Sequence, residues 1–300
     1  MGTNHISYSS NAIQDLLESK SRLTMKTFKN KVAAITGAGS GMGQQLAVLL
    51  ATAGCHVAIS DINQAGLDQT VELLKPFNVK VTVDIVNTAE QVAVYAWADK
   101  VKKDHGKVNL IFNNAGIAMS NTVEGHEIHD YERMMAVNFW GVIYGTKAFL
   151  PYLKESGDGH IINTSSIFGL TAQPTQSAYN ASKFAVRGFT ESLRQELDMC
   201  HFGVSATCVH PGGIKTNIAH TAEMSENVAS LGLNLKKSKA SADKMMRIPA
   251  VKAAQIILDG VKANKRRVLI GPEAYAVDWI QRLLPSGYQR LFVMGTKANF

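Results

Sequence analysis

Ser166, Tyr179 and Lys183 are the residues of this 300-residue chain best suited to moving a proton. Tyr179 follows Ser166 by thirteen positions and precedes Lys183 by four. A helix that starts near Ser177 puts Tyr179 and Lys183 one turn apart on one face. A phenol beside an ammonium, with a hydroxyl delivered from an adjacent strand end, makes an acid/base apparatus. The phenol titrates near ~10 when free, too high for an efficient base at neutral pH. A neighbouring cation favours the phenolate and lowers that value. Tyr-x-x-x-Lys pairs occur by chance on many helices, so the meaning of this one depends on what the rest of the chain builds around it.

The elements that must position these groups follow a regular alternation. Short apolar runs predict strands over 32–36, 56–60, 79–83, 110–112, 161–164, 204–209 and 267–270. Helical periodicity fills the intervals at 42–53, 64–74, 88–104, 130–153, 177–199 and 250–263. Strands alternating with helices predict an α/β fold, a Rossmann-type doubly wound parallel sheet in three α/β/α layers, as a single domain. Residues 27–272 form that domain. Residues 1–26 precede it as an extension, with a short amphipathic helix over 11–23. Its opening Met-Gly-Thr-Asn-His is open to reading as a non-native remnant, with Met25 as a natural start. Residues 212–248 are insertion-like, and 273–300 form an amphipathic tail.

Bulk composition excludes several classes. With 46% hydrophobic and 18% charged residues, the chain is ordinary and globular. The net charge is +7, but the basic residues are scattered. The clusters at Lys236, Lys237 and Lys239 and at Lys265, Arg266 and Arg267 read as solvated faces, so no nucleic-acid partner is expected. Cys55, Cys200 and Cys208 are odd in number and lack CxxC spacing, which suits reduced thiols in a cytoplasmic protein. No run has the length of a membrane span or of a secretory leader. No spacing suits a metal; His160 and His210 flank strands and read as structural.

After the first strand the chain reads Thr36-Gly37-Ala38-Gly39-Ser40-Gly41-Met42-Gly43. A glycine-rich turn between strand and helix lets backbone approach a pyrophosphate, and the helix N-terminus offers amides and a positive dipole end. The spacing that fits is G-x-x-x-G-x-G on Gly37, Gly41 and Gly43. Asp61, twenty residues after Gly41, ends the second strand. A carboxylate there accepts from the adenosine ribose hydroxyls and repels a 2′-phosphate. No Arg or Lys in the loop or directly after Asp61 welcomes that phosphate, so NAD is expected over NADP. Asp84, with Ile85, is placed either to meet the adenine edge or to serve as a turn or N-cap carboxylate.

With Asn113-Asn114-Ala115-Gly116 ending the fourth strand, the motifs become recognisable as a set. TGxxxGxG at 36–43, NNAG at 113–116, Asn138, Ser166, Tyr179-x-x-x-Lys183 and Pro211-Gly212 occur in that order. The chain resembles the short-chain dehydrogenase/reductase family, in its shorter, non-extended branch, over roughly residues 28–271. That resemblance implies an oxidoreductase that moves a hydride between a nicotinamide cofactor and an alcohol, ketone or aldehyde. It assigns catalysis to Asn138, Ser166, Tyr179 and Lys183. Lys183 would also hold the nicotinamide ribose, and Asn138 a water linking Lys183 to solvent. Ser165 is an alternative to Ser166, and Asn138 can also be a packing amide. The cofactor would lie along Gly37, Ser40, Gly41, Met42, Gly43, Asp61, Ile62, Asp84, Ile85, Asn113, Ala115, Gly116, Tyr179 and Lys183. Pro211, Gly212, Ile214 and Thr216 would close its nicotinamide end. Relatives assemble as homodimers or homotetramers, and the same is expected here. The competing readings are an NADP-preferring carbonyl reductase of the same fold and a non-catalytic dinucleotide-binding sensor.

The substrate side is less determined. Ile167, Phe168 and Gln173 lie where a pocket wall should stand, and residues 217–248 read as a lid with many apolar side chains. The expected substrate is a hydrophobic small molecule. The tail, with Trp279, Leu283, Leu284, Tyr288 and Leu291, suits a cover over the sheet edge, the lid or a neighbouring subunit, ahead of a membrane surface.

Overall fold

The structure, a computed structural model, describes residue 25, residues 27–216 and residues 223–299. The helix expected over 11–23 lies outside them. Seven parallel strands form one sheet: β1 (Val32–Thr36), β2 (His56–Asp61), β3 (Val81–Ile85), β4 (Leu110–Asn113), β5 (Gly159–Thr164), β6 (Val204–Pro211) and β7 (Arg267–Ile270). Their spatial order is β7-β6-β5-β4-β1-β2-β3. The helices between them are α1 (Gly41–Thr52), α2 (Gln64–Leu74), α3 (Gln91–His105), α4 (Ile128–Met135), α5 (Gly141–Ser156) and α6 (Ser177–Cys200). Then come α7 (Leu235–Met245), α8 (Ala250–Lys262), α9 (Pro272–Leu283) and α10 (Tyr288–Asn299).

The period-two alternation of β1 divides the core. Ala33 and Ile35 join Leu46 and Leu50 of α1, Leu67 of α2 and Ile257 and Val261 of α8 on one face. Val32 and Ala34 join Trp97 and Val101 of α3, Phe149 and Leu153 of α5 and Leu197 of α6 on the other. All five β1 residues are buried, as a strand covered on both faces requires. Each fully buried leucine contributes about 2 kcal/mol by area, before entropy is counted.

The order reverses between β1 and β4, since β2 and β3 extend the sheet one way and β5 to β7 the other. Such a switch point opens a crevice at the carboxyl ends of the strands, which is where a dinucleotide binds in this architecture. The glycine loop leaves β1 there, and Asn113-Asn114-Ala115-Gly116 leaves β4 beside it.

Three details differ from the pattern-based expectation. β3 is displaced by two residues, because pairing of Val57 with Val81, not hydropathy, sets its start. α3 begins three residues late: Asn87 Oδ1 accepts from Ala89 N at 3.1 Å and forms a turn ahead of it. The helix expected over 130–153 runs from Ile128 to Ser156, but Ala136–Trp140 is a π turn. The tail, for which the sequence reading set no helix bounds, is two helices separated at Leu284 and Pro285, the proline disfavouring helix in the residue before it.

Candidate active site

The glycine loop is folded tightly on itself and against the turn that follows β4. Gly37 and Gly41 have φ of +65° and +56°, where a side chain is strained. A Cβ on Gly43 would stand 2.1 Å from the Gly37 carbonyl oxygen, and one on Gly37 2.8 Å from Ala115 Cα. Thr36 Oγ1 accepts from the amides of Asn114 and Ala115 at 3.0 and 3.1 Å. Asn114 Nδ2 donates to the carbonyls of Thr36 and Gly37 at 3.2 and 3.3 Å. The sequence reading quoted Asn114 and Thr36 inside the TGxxxGxG and NNAG motifs but gave neither a role; their place at the ends of two adjacent strands is what joins them. The first turn of α1 has no acidic residue, and the Ser40 side chain does not cap it. Its amides are therefore free of side-chain competition for an anion.

Asp61 Oδ2 accepts from Gly39 N at 2.9 Å, and Oδ1 from Asn63 N at 3.0 Å. The carboxylate is thus pinned against the glycine loop. Asp84 pairs with Lys100 of α3, while its Oδ2 is buried with no hydrogen-bond partner among the described residues. Ile62 and Ile85, on neighbouring strand ends, are 69% and 54% exposed and flank this side of the crevice. The loop and Asp61 fit a dinucleotide, and the orphaned acceptor on Asp84 fits an adenine amino group. Thr216 closes the crevice from the opposite side: a Cβ on Gly41 would lie 3.2 Å from Thr216 Cβ.

The proton-transfer groups assemble where β5 ends and α6 begins. Ser166 follows β5 and caps the 3₁₀ turn Ile167–Gly169, accepting from Phe168 N at 3.1 Å. Tyr179 and Lys183 lie on the first two turns of α6. Lys183 is buried; its Nζ donates to the Thr164 carbonyl at 3.0 Å and sits 5.5 Å from the Tyr179 ring centroid. Burial depresses the ammonium from 10.5 to about 8. Burial also raises the Tyr179 phenol, and the Ser166 hydroxyl pulls it back in part. Lys183 was expected to lower the phenol; in the chain itself desolvation outweighs its neighbours.

Ser165 has a separate role, donating its Oγ to the Lys183 carbonyl at 2.8 Å. Gly169 makes room for this contact, since a Cβ there would lie 2.2 Å from Ser165 Oγ. Beneath them His210 is fully buried, with Nδ1 2.9 Å from the Ser166 carbonyl. Burial holds its ring down at about 4, so it is neutral at pH 7 and donates from Nδ1.

Asn138 lies in the π turn and is completely buried. Its Oδ1 accepts from Ile117 N at 2.9 Å, and its Nδ2 donates to the Ile117 carbonyl at 3.0 Å and to Ser182 Oγ at 3.1 Å. The side chain thus latches the turn after β4 onto α6. Gly116 lies between these groups: its Cβ would meet Asn138 Oδ1 at 3.1 Å and Lys183 Nζ at 3.5 Å. Single turns with i→i+5 bonding are frequent at functional sites.

Residues 31–227 match the sequence family of the short chain dehydrogenases. The chain belongs to that family. It is 46% identical over 277 residues, covering 92% of this chain and 99% of the relative, to a putative oxidoreductase, SadH, of Mycobacterium tuberculosis (strain ATCC 25618 / H37Rv). It is 36% identical over 208 residues, 69% of this chain and 82% of the relative, to a cyclohexanol dehydrogenase of Acinetobacter sp. (strain SE19). Among solved structures, a short chain dehydrogenase/reductase of Burkholderia phymatum in complex with NAD superposes with a TM-score of 0.79. That match has 27% identity and covers 86% of this chain and 95% of the other. The protein is thus an oxidoreductase of the short-chain type, on a Rossmann-type fold.

In this short-chain dehydrogenase the other expected contacts take varied positions. The Asn113 amide is buried, donating to Thr146 Oγ1 at 3.2 Å and Asn163 Oδ1 at 2.8 Å. It joins β4 to β5 and α5, leaving its backbone toward the crevice. Pro211 ends β6, and Gly212 and Ile214 follow in a tight turn, Ile214 N donating to the Gly212 carbonyl at 3.0 Å. Met42 and Ile214 are buried, 8% and 4% exposed. Phe168 meets Tyr179 edge-on, with centroids 6.1 Å apart, and Ile167 is buried beside it. Gln173 reaches away, donating from Nε2 to Thr296 Oγ1 at 3.3 Å. Glu273, absent from the sequence reading, and Tyr288, read there only as part of the tail, contact the loops on either side of the site. Among the described residues no group of His, Cys, Asp and Glu is arranged for a metal, and no helix is long and apolar enough to cross a membrane.

Proposed function

We propose that this protein interconverts a hydrophobic secondary or alicyclic alcohol and its carbonyl compound with NAD, using Tyr179 as the acid/base. The observation that supports the reading is the placement of Lys183 Nζ beside the Tyr179 ring and on the Thr164 carbonyl, with Gly116 lying between it and Asn138. The cofactor supplies the hydride acceptor, and the chain supplies geometry and proton transfer. Ser166 hydrogen-bonds the substrate oxygen and holds it toward Tyr179. Tyr179, as phenolate, takes the hydroxyl proton as the carbonyl forms, and returns it in the reverse direction. Lys183 steadies the phenolate charge and would hold the nicotinamide ribose, and Asn138 keeps the backbone beside it fixed.

NAD is favoured over NADP because Asp61 directs a carboxylate at the ribose position with no cation in the loop. An apolar substrate is supported by the walls at Ile167 and Phe168 and by the likeness to a cyclohexanol dehydrogenase. Residues 212–248, of which 217–222 lie outside the described residues, are assigned the role of a lid; Ile214 pairs with Ile248 at its ends, and Glu223–Met224 pair with Met119–Ser120. The assembly is a homodimer or homotetramer, and the location cytoplasmic.

A substrate panel with NAD and NADP, read by reduced-nicotinamide absorbance, tests the reading. Alicyclic and medium-chain alcohols should exceed polyols, with NAD preferred. Polyols leading, or NADP preferred, would overturn the corresponding part. Tight NADH binding without turnover on any substrate would favour a sensor.

A further inference from the structure

The C-terminal hairpin of α9 and α10 touches both loops that border the reaction centre. At its start, Glu273 Oε1 accepts from Gly213 N at 2.8 Å. Glycines admit that carboxylate: a Cβ on Gly212 would lie 2.1 Å from Oε1, and one on Gly271 2.5 Å. The Gly213 carbonyl in turn accepts from Arg247 N and Ile248 N, each at 3.0 Å. One peptide therefore joins the turn after β6, the end of the lid and the tail.

At the other end of the hairpin, Tyr288 is 6% exposed, and its hydroxyl accepts from Ala172 N at 3.2 Å. Its ring meets Phe292 edge-on at 5.4 Å. Thr296 accepts from Gln173 Nε2, and the Gln173 carbonyl accepts from Asn180 Nδ2 at 2.9 Å. Asn180 is the residue after Tyr179, so this chain of bonds ends on the turn that presents the phenol. Between the two ends, Asp278 accepts from Arg267 Nη1 at 2.7 Å, and Arg267 Nη2 donates to Glu191 of α6 at 2.6 Å. Arg187 donates to the same Glu191 at 3.1 Å and reaches the Gly169 carbonyl at 3.4 Å.

We infer that this hairpin is a positioning strap: Tyr288 sets the substrate loop 166–176 against Tyr179, and Glu273 sets the Gly212–Gly213 turn against the cofactor. The second half of the inference rests on the proposed use of that turn for the nicotinamide end. Neither residue touches a reacting atom. Each presents one acceptor to one backbone N–H, and removing it leaves that N–H without its partner.

The test uses the full chain and three variants, Tyr288→Phe, Glu273→Ala and Glu273→Gln. NADH dissociation constants come from fluorescence titration, KM and kcat from the alcohol panel, and hydrogen exchange reports the Ala172 amide. Glu273→Ala should weaken NADH about tenfold, and Glu273→Gln, which keeps an acceptor, should recover most of it. Tyr288→Phe should speed exchange at Ala172 and raise KM for the alcohol severalfold, with NADH affinity unchanged. Wild-type NADH affinity in Glu273→Ala together with wild-type KM in Tyr288→Phe, both proteins being folded, would overturn the strap. If Glu273→Ala fails to fold, wild-type NADH affinity in Glu273→Asp, whose shorter carboxylate falls short of Gly213, overturns the Glu273 half instead. Failure of the proposed reaction is separable: no wild-type turnover would still leave NADH affinity and Ala172 exchange to decide the strap.

Discussion

Ser165 Oγ donates to the carbonyl of Lys183 at 2.8 Å, which leaves the adjacent Ser166 as the serine proposed to meet the substrate. Ser165 is consumed in joining β5 to α6. Ser166 directs its hydroxyl to the start of the 3₁₀ turn and toward Tyr179. The two alanine variants should therefore fail differently. Ser166→Ala should lower kcat on the order of a hundredfold or more, while losing about 1 kcal/mol of stability with the cap on Phe168 N. Ser165→Ala leaves a buried carbonyl short of a partner and should cost about 1–3 kcal/mol of stability with a smaller loss of kcat. Urea melts and steady-state rates on both proteins check this; equal kcat losses would contradict the division.

Tyr179→Phe keeps the ring that packs edge-on against Phe168 and removes only the hydroxyl. The variant should bind NADH normally and lose about two to four orders of magnitude in kcat. Burial lifts the phenol above its ordinary value of 10.0 in the chain itself. The alcohol-oxidation rate should therefore climb with pH beyond neutrality, because the phenolate is the acting form. A profile of kcat/KM from about pH 6 to 10 displays that limb, which the Phe variant should lack. Retention of the limb in Tyr179→Phe would assign the base to another group.

His210 makes stability pH-dependent on the acid side. Its ring is held from 6.5 down to about 4 by burial. Below pH 6.5 the unfolded chain takes up a proton that the folded chain refuses until about pH 4. The contribution is complete above pH 6.5 and is lost as pH falls through that window. His160, held at about 3, acts in the same sense. Between pH 7 and 5 each should remove on the order of 2 kcal/mol. Urea midpoints at the two pH values measure the sum. His210→Gln, which retains a donor for the Ser166 carbonyl and does not titrate, should show a shallower fall; an unchanged slope would place the effect elsewhere.

Much of this was legible in the sequence because it is local. The run Val32–Thr36 followed by three spaced glycines specifies a buried strand and a loop that no other residue type can fold. Tyr179 and Lys183 are neighbours by helical geometry alone. What escaped depends on contacts distant in sequence. Glu273 reads as an acidic residue in a first helical turn, which the dipole would explain; its partner Gly213 lies sixty positions away. Tyr288 reads as one more apolar position of an amphipathic tail, and only packing brings it to Ala172. The π turn around Asn138 is set by the Ile117 peptide across the crevice, which no periodicity in residues 128–156 encodes. The spacing to Tyr179 already favours Ser166 over Ser165, but what Ser165 does instead, bonding the Lys183 carbonyl, appears only in the fold.

Asp61 should govern the choice between the two nicotinamide cofactors. Its carboxylate is held by the amides of Gly39 and Asn63, so it cannot swing away from a ligand at the loop without breaking both bonds. A 2′-phosphate placed there faces a fixed like charge at close range, a juxtaposition that costs several kcal/mol. Asp61→Asn keeps an oxygen for one of those amides and removes the charge. The ratio of kcat/KM for NAD to that for NADP should fall on the order of a hundredfold, mostly through a lower KM for NADP. Asp61→Ala should relax the ratio similarly but also loosen the loop, so its NAD activity should fall further than that of the Asn variant. Measuring both coenzymes with one alcohol on the wild type and the two variants separates these effects. A ratio in Asp61→Asn equal to that of the wild type would show that the charge is not what discriminates, leaving the close packing around Gly39 as the source of selectivity.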